Sequence, residues 1–480
     1  MRTGISYGKV KVKIMANLLG VDVGTTSLKM VLFDENGNIL KTVSKSYTLI
    51  SKEDRVELDP LHYWEMFHSA YEEIRSEYSI SALSIDTQCE TLIMTDGQGD
   101  PLYNAIVWLD NRATVQAEKI NDTFGVQKVY EITGQPEITA TWPACKLLWM
   151  RENEPDIFEK IEKIFLLEDY LLYKLTGEFV TEKTLQSSSL YLDIRTGCWW
   201  QEMLDFIGIK PDQLPRLMDS AQVIGTYDGV TVVTGVMDQI AGSIGAGVID
   251  NTVVSEMTGT TMAIVVPTDV FPPYKEDNRV PCHINYDGNY CLLTWTPTAG
   301  IALKWFRDNF CEGKSFDDLN ELAAQVAPGC DGLTFMPYLC GSIIPKYNPA
   351  ARGAFLGLTM EHTRAHMVRS IQEAVAFMLQ ENLDYLNVSC QEIRSMGGGA
   401  ASPLWCQIKA DVTGKKIITL KSAESACLGS AIIAGVGAGI FESVKASCEK
   451  LVATDKVYYP SGTDYTQAYE RYLKYEEATV

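Results

Sequence analysis

The chain has 480 residues, 46% of them hydrophobic, which is enough to bury more than one substantial core. Its 62 acidic residues against 41 basic ones give a formal charge of -21, which argues against nucleic acid or an anionic membrane surface as a partner. No apolar run approaches the ~20 residues of a membrane-spanning helix, so no membrane association is expected.

Residues 1–14 carry Arg2, Lys9, Lys11 and Lys13 but lack the apolar stretch and cleavage site of a secretory signal. They are expected to be a disordered N-terminal extension, with Met15 as an alternative start. The 12 cysteines are scattered from Cys89 to Cys448 without a Cys-x-x-Cys pair, which points to reduced thiols and a cytoplasmic location. An acidic chain that binds a polyanion must do so with magnesium, backbone donors and a few placed cations.

The first informative element is Asp22-Val23-Gly24-Thr25-Thr26, which follows the apolar run Leu18-Leu19-Gly20-Val21 and precedes the stretch Lys29 to Asp34. This layout predicts a β-hairpin with a phosphate-sized turn. Gly24 lets the backbone approach an anion, the hydroxyls of Thr25 and Thr26 can donate to phosphate oxygens, and Asp22 can hold magnesium through water. An ordinary hairpin turn with a solvated aspartate is the other reading.

Further on, Leu83 to Gln88 predicts a strand ending in polar residues, followed by Cys89-Glu90 and a second strand over Thr91 to Met94. A turn at 96–101 leads into Asn104 to Arg112. Gln88, Glu90, Trp108, Asp110 and Arg112 suit a polyhydroxy compound, because amide and carboxylate groups grip hydroxyls while an indole covers a C–H face. An exposed loop with salt bridges and a partly buried tryptophan would use the same residues.

Thr231 to Val236 predicts a strand that ends at Met237-Asp238-Gln239, where a small-residue helix begins. An aspartate placed there can accept the proton of an attacking hydroxyl, as phosphoryl transfer requires, or it can simply cap the helix. The small residues Ala241, Gly242, Gly245, Ala246 and Gly247 predict close packing of that helix against a sheet.

Ser255 to Thr261, followed by Met262 to Val266, repeats the first hairpin with Gly259-Thr260-Thr261 at its turn. Two such units far apart predict two similar lobes with a cleft between them. His362 and His366 share the spacing of a helix face, but with no third ligand nearby they read as surface or packing residues. Ile393 to Met396 predicts a strand before the glycines 397–399, with Ser402 as N-cap and Pro403 in the first helical position. That glycine run offers a flat shelf for adenine and ribose, or is a tight turn between strand and helix. Residues 464–480 predict a terminal helix packed on the second lobe.

In this order of motifs the chain resembles the FGGY carbohydrate kinases, from about Leu18 to the mid-440s. The resemblance rests on the first hairpin, Trp108-x-Asp110-x-Arg112, Lys146-Leu147-Leu148-Trp149, the Asp238 segment, Gly259-Thr260, Gly353 to Leu358, and the glycine shelf. It implies an α/β protein of two RNase H-like lobes, as in the actin, sugar kinase and chaperone ATPase superfamily, each with a mixed five-stranded sheet and an active-site cleft between them. The lobes would be 15–248, carrying sugar binding and the catalytic base, and 249–480, carrying the nucleotide.

Carried over residue by residue, Asp238 would be the general base and would handle magnesium with Asp22. Gln88, Glu90, Trp108, Asp238 and Gln239 would bind the sugar. Gly24, Thr25, Thr26, Lys29, Gly259, Thr260, Gly300, Gly398, Gly399 and Ala400 would bind ATP. The C-terminal half resembles the xylulokinase branch and the sugar loop the glycerol kinase branch. Cys89 replaces the arginine that grips glycerol, Thr141 replaces a tyrosine of that site, and Cys89-Glu90-Thr91 replaces the xylulokinase Met-His-Gly. The expected substrate is a ketose such as xylulose. Alternatives are another polyol or sugar-like molecule, including glycerol, a deoxyketose or a signalling sugar, and a non-catalytic sensor of the same fold. The resemblance leaves monomer, homodimer and tetramer open.

Overall fold

The structure, a computed structural model, describes residues 16–277 and 279–479, so the extension expected at 1–14 lies outside the described residues. The first hairpin forms as the sequence predicts: Asn17–Val23 and Ser27–Asp34 pair antiparallel, with Asp22 opposite Lys29. Alternate residues serve two cores. Leu19, Val21 and Val23 pack inside the first lobe, whereas Leu18, Val31 and Phe33 face a layer that includes Cys427 and Ala431. With both faces covered, the strand reads as an almost unbroken apolar run.

This hairpin sits in a six-stranded sheet ordered Val223–Tyr227, Val230–Val233, Ala82–Thr87, Asn17–Val23, Ser27–Asp34, Ile39–Ser46. The second lobe repeats the plan in a seven-stranded sheet ordered Thr454–Tyr458, Lys416–Leu420, Glu392–Met396, Val253–Thr258, Met262–Thr268, Tyr290–Thr296, Cys282–Ile284. The central hairpin, its two parallel neighbours and the outer antiparallel strands correspond position by position. The five strands implied by the resemblance are therefore extended at their edges. Asp228 and Gly229, both at positive φ (49° and 81°), turn Val223–Tyr227 back onto the first sheet. A turn at Asn285 to Asn289 likewise adds Cys282–Ile284 to the second.

A separate five-stranded sheet, ordered Ile50–Lys52, Arg55–Leu58, Ala105–Ile106, Leu92–Thr95, Lys163–Leu166, is inserted in the first lobe and carries the loop singled out for sugar binding. Among the described residues no helix is long and apolar enough to cross a membrane. The terminal helix Thr466–Thr479 packs on the second lobe as expected, burying Ala468, Tyr472 and Glu476. His362 and His366 lie with ring centroids 5.3 Å apart, and His366 Nε2 is 3.1 Å from Asp331 Oδ2.

The small-residue helix Asp238–Gly245 packs against another helix, Ser425–Gly437, where a sheet was expected. A Cβ on Gly245 would stand 1.8 Å from the Ser425 carbonyl oxygen, and one on Gly429 1.9 Å from that of Ala241. On its other side Ser425–Gly437 lies on the first sheet, where a Cβ on Gly20 would meet the Cys427 oxygen at 1.7 Å. This helix leaves the second-lobe sheet after Lys416–Leu420 yet rests on the first lobe, so it forms the floor between the two.

Candidate active site

Above that floor is a cavity of about 320 Å³ that brings together Thr25, Gln88, Glu90, Trp108, Asp238 and Gln239. These come from the turn of the first hairpin, the loop singled out for sugar binding and the start of the helix Asp238–Gly245. Its opposite wall belongs to the second lobe and was not anticipated: Ala263, His283, Leu293 and Trp295 project from one face of neighbouring strands.

Each first-lobe residue is held by partners behind it. The Gln88 backbone N–H donates to the Val23 oxygen at 2.9 Å and its Nε2 to the Tyr63 hydroxyl at 3.1 Å, leaving the buried Oε1 without a partner. Glu90 has left-handed backbone geometry, φ 58°, and its carbonyl accepts from Lys146 Nζ at 2.8 Å. Lys146 donates also to the Val107 oxygen at 3.0 Å, so one buried ammonium ties both arms of the sugar loop together. Trp108 Nε1 donates to Thr25 Oγ1 at 3.0 Å.

Asp110 and Arg112, which the sequence grouped with the sugar-binding residues, serve the loop instead. Arg112 bonds Asp110 at 2.8 and 2.7 Å, pairs with Glu57 and lies over the Trp149 ring. Both are buried and neither lines the cavity.

Asp238 is the first residue of its helix, and Met237 occupies the cap position. The turn is fixed from below by Thr184, whose hydroxyl accepts the Met237 N–H at 2.8 Å and donates to Glu182 Oε1 at 2.8 Å. Asp238 Oδ1 accepts from the Gln239 N–H at 2.8 Å and lies 3.7 Å from Cys89 Sγ.

Burial, helped by the charges of Asp22 and Glu90, pushes Asp238 up to about 8. Burial raises Glu90 to about 7 against the pull of Lys146, and Asp22 to about 6 against that of Lys29. Asp86, opposite Asp22 in the parallel pair, is raised well above the usual carboxylate range by burial and then by Asp22. Its Oδ2 accepts from Ser430 Oγ at 2.5 Å, while its Oδ1 has no partner. Crowded carboxylates with an orphaned oxygen are a donor set that fits a divalent cation. Among the described residues no ready-made cage of three or more ligands exists, which suits an ion that keeps its waters and shares a nucleotide's phosphates.

A second cavity, of about 350 Å³, is lined by Thr258, Gly259, Thr260, Gly300, Gly398 and Gly399, with Lys304, Asn320 and Trp405 at its sides. Gly300 N donates to the Gly259 oxygen at 2.9 Å, and a Cβ on Gly300 would stand 2.3 Å from that oxygen. Ser402 caps the next helix through the Trp405 N–H, as predicted, and Pro403 is its first residue. Ala401 lines the shelf, and Ala400, expected there, lies in the same 3₁₀ turn, Gly398–Ala401, but is not among the lining residues.

Beneath the Gly259 turn, buried Lys409 Nζ reaches Glu256 Oε2 at 2.8 Å and Thr258 Oγ1 at 2.9 Å. In the first turn Gly24 accepts from the Tyr47 hydroxyl and Thr26 is exposed. Gly24, Thr26 and Lys29 are not among the residues lining either of these two cavities. Lys29 Nζ is instead 2.6 Å from Glu424 Oε2.

Two lobes of one strand plan, with Thr25 of the first turn at one cavity and Gly259 and Thr260 of the second at the other, define a phosphotransferase of the actin-like ATPase fold. Models of the N-terminal and C-terminal domains of the FGGY carbohydrate kinases match residues 17–254 and 272–438. The chain belongs to this family and is an ATP-dependent sugar kinase. It is 31% identical over 91% of its length to a xylulose kinase of Lactococcus lactis subsp. lactis (strain IL1403), covering 91% of that protein. It is 29% identical over 91% of its length to a gluconokinase of Bacillus subtilis (strain 168), covering 90% of it. The ligand-bound xylulose kinase of Lactobacillus acidophilus superposes with a TM-score of 0.90 at 27% identity, over 96% of this chain and 98% of that one.

Proposed function

We propose that the protein transfers the γ-phosphoryl group of ATP to a hydroxyl of a neutral ketose, with xylulose the first candidate. The observation that carries the choice of sugar is the charge of the acceptor cavity. Among the described residues that line it there is no lysine or arginine, while Glu90 and Asp238 face in. His283 is held down at about 4 by burial and is uncharged at neutral pH. An aldonate such as gluconate would bring a carboxylate to this wall with no cation to meet it, whereas a ketose brings only hydroxyls and a carbonyl. The xylulose kinases among the relatives support the same reading.

In this reading ATP lies on the Gly398-Gly399 shelf, with its phosphates between Thr25 and the Gly259-Thr260 turn. Asp22, with Asp238 and Asp86 near it, would hold magnesium, which supplies charge neutralisation on the phosphates. Gln88, Glu90, Trp108 and Gln239 orient the sugar, and Asp238 accepts the proton of the attacking hydroxyl. Its raised affinity for a proton suits that task, since a base is most effective with a pKa near working pH. The indole bond from Trp108 to Thr25 keeps acceptor and phosphate sites in register, and the apolar second-lobe wall excludes water.

A coupled ATP-to-ADP assay with magnesium across ketopentoses, ketohexoses, deoxyketoses, polyols and gluconate tests the reading. Turnover with a ketopentose and none with gluconate is expected. Preference for gluconate or glycerol would overturn the substrate assignment.

A further inference from the structure

His283 occupies an unusual place. It is the middle residue of the edge strand Cys282–Ile284, which pairs with Tyr290–Thr296 in the second lobe and sets His283 opposite Cys291. The same strand is bonded to the first lobe. Cys282 N donates to the Gly134 oxygen at 2.9 Å, and Ile284 N donates to Ser187 Oγ at 3.0 Å. The approach is close enough that a Cβ on Gly134 would stand 2.1 Å from the Cys282 oxygen. The backbone of His283 is thus anchored on both sides of the cleft.

The imidazole lines the acceptor cavity and is only 3% exposed, yet its Nδ1 has no hydrogen-bond partner. The cavity residues beside it on the second-lobe wall, Pro281, Leu293 and Trp295, offer no side-chain acceptor and only one donor, the indole N–H. Across the cavity Gln88 Oε1 is likewise buried and unpartnered. A polar atom left this way is costly, and a rigidly mounted one at a ligand cavity has an evident use.

We propose that His283 is a substrate-binding residue supplied by the second lobe, with an imidazole nitrogen hydrogen-bonding a hydroxyl of the acceptor sugar. The inference rests on the reading of this cavity as the acceptor site. An uncharged imidazole can donate to or accept from a hydroxyl according to its tautomer, and so discriminates by position without demanding charge. The sugar is then gripped from both lobes, the first providing carboxylates and amides and the second an imidazole nitrogen in a largely apolar wall. A sugar lacking the matching hydroxyl leaves that nitrogen unpaired, which makes His283 a determinant of specificity.

The test uses the full-length enzyme and the acceptor panel, with His283→Leu to remove the nitrogen and His283→Gln to retain a hydrogen-bonding group. For the best acceptor, His283→Leu is expected to raise KM about tenfold or more and His283→Gln to recover part of it, with KM for ATP little changed. One deoxyketose that wild type rejects should be rejected no longer by His283→Leu. Unchanged acceptor KM, a parallel rise in KM for ATP, or intact discrimination would each overturn the role of His283 alone. If His283→Leu fails to fold, as judged by its melting curve, His283→Gln against the deoxyketoses decides the matter by the same criteria. Wild type inactive on every acceptor would overturn both this inference and the functional reading beneath it.

Discussion

Trp108 Nε1 donates to Thr25 Oγ1 at 3.0 Å, joining the loop at the proposed acceptor cavity to the turn proposed for the phosphates. The bond spans 83 residues of sequence, and its loss should uncouple two sites without dismantling either. Trp108→Phe keeps an aromatic face for the sugar and removes only the donor. We expect kcat/KM to fall by a factor of about five to ten, the worth of one hydrogen bond near 1 kcal/mol, with the melting temperature nearly unchanged. Steady-state kinetics with either substrate varied would check it, and wild-type kcat/KM would show that the bond does not organise the site.

Asp238→Asn should retain the fold and ATP binding while lowering turnover by about a thousandfold, within the range for losing a general base. The same change should stabilise the protein. The folded-state pKa of about 8 exceeds the ordinary 3.8, so between these values the native state holds a proton more tightly than the unfolded chain does. Stability contributed by that proton is complete below pH 3.8 and is lost as pH rises through 8. In magnesium-free buffer the asparagine variant should therefore melt above wild type at pH 8, and the gap should narrow at pH 5. A gap that widens on acidification would refute the sign, and wild-type turnover would remove Asp238 from catalysis.

Two glycines of one helix make opposite expectations. Gly242 has nothing within 4 Å of an added Cβ, whereas Gly245 would meet the Ser425 carbonyl oxygen at 1.8 Å. Gly242→Ala should stabilise by about 0.4–1 kcal/mol, because alanine restricts the unfolded chain. Gly245→Ala must part the helices Asp238–Gly245 and Ser425–Gly437, with an overpacking cost of about 1–3 kcal/mol, and should displace Asp238 enough to depress turnover. Thermal melts of both variants decide it; equal effects would mean that the helix contact yields freely.

What could be read from the sequence was local. Asp22-Val23-Gly24-Thr25-Thr26 and Gly259-Thr260-Thr261 announce their hairpins because a β-branched run, a glycine and a turn follow one another along the chain, and the family order of motifs supplied the two lobes. The second-lobe wall of the acceptor cavity was not legible. His283, Leu293 and Trp295 look like ordinary strand residues, and only sheet pairing sets them on a common face toward the first lobe. Asp110 and Arg112 misled for the converse reason: a charged pair two residues apart suits a ligand or its own loop equally well, and burial alone distinguishes them. Lys29 stands where a phosphate contact was expected, but its partner Glu424 lies 395 residues away and could not be foreseen.

The buried pair Lys409–Glu256 supports the Gly259 turn from beneath, with both side chains fully enclosed and 2.8 Å between charges. Lys409 also donates to Thr258 Oγ1, the residue before Gly259, so the ammonium acts on the Gly259 turn through one hydroxyl. Replacing it alone strands a carboxylate in the interior. Lys409→Met should cost about 3–5 kcal/mol and raise KM for ATP more than KM for the sugar, since the turn it props lines the cavity proposed for the nucleotide. Adding Glu256→Gln removes the stranded charge and should return much of the stability, because a neutral pair needs no counter-ion. The affinity for ATP should recover less, as Thr258 still lacks its donor. Melting curves and ATP titrations of the single and double variants separate the two effects, and recovery of both together would show that Lys409 acts on the nucleotide site only through stability.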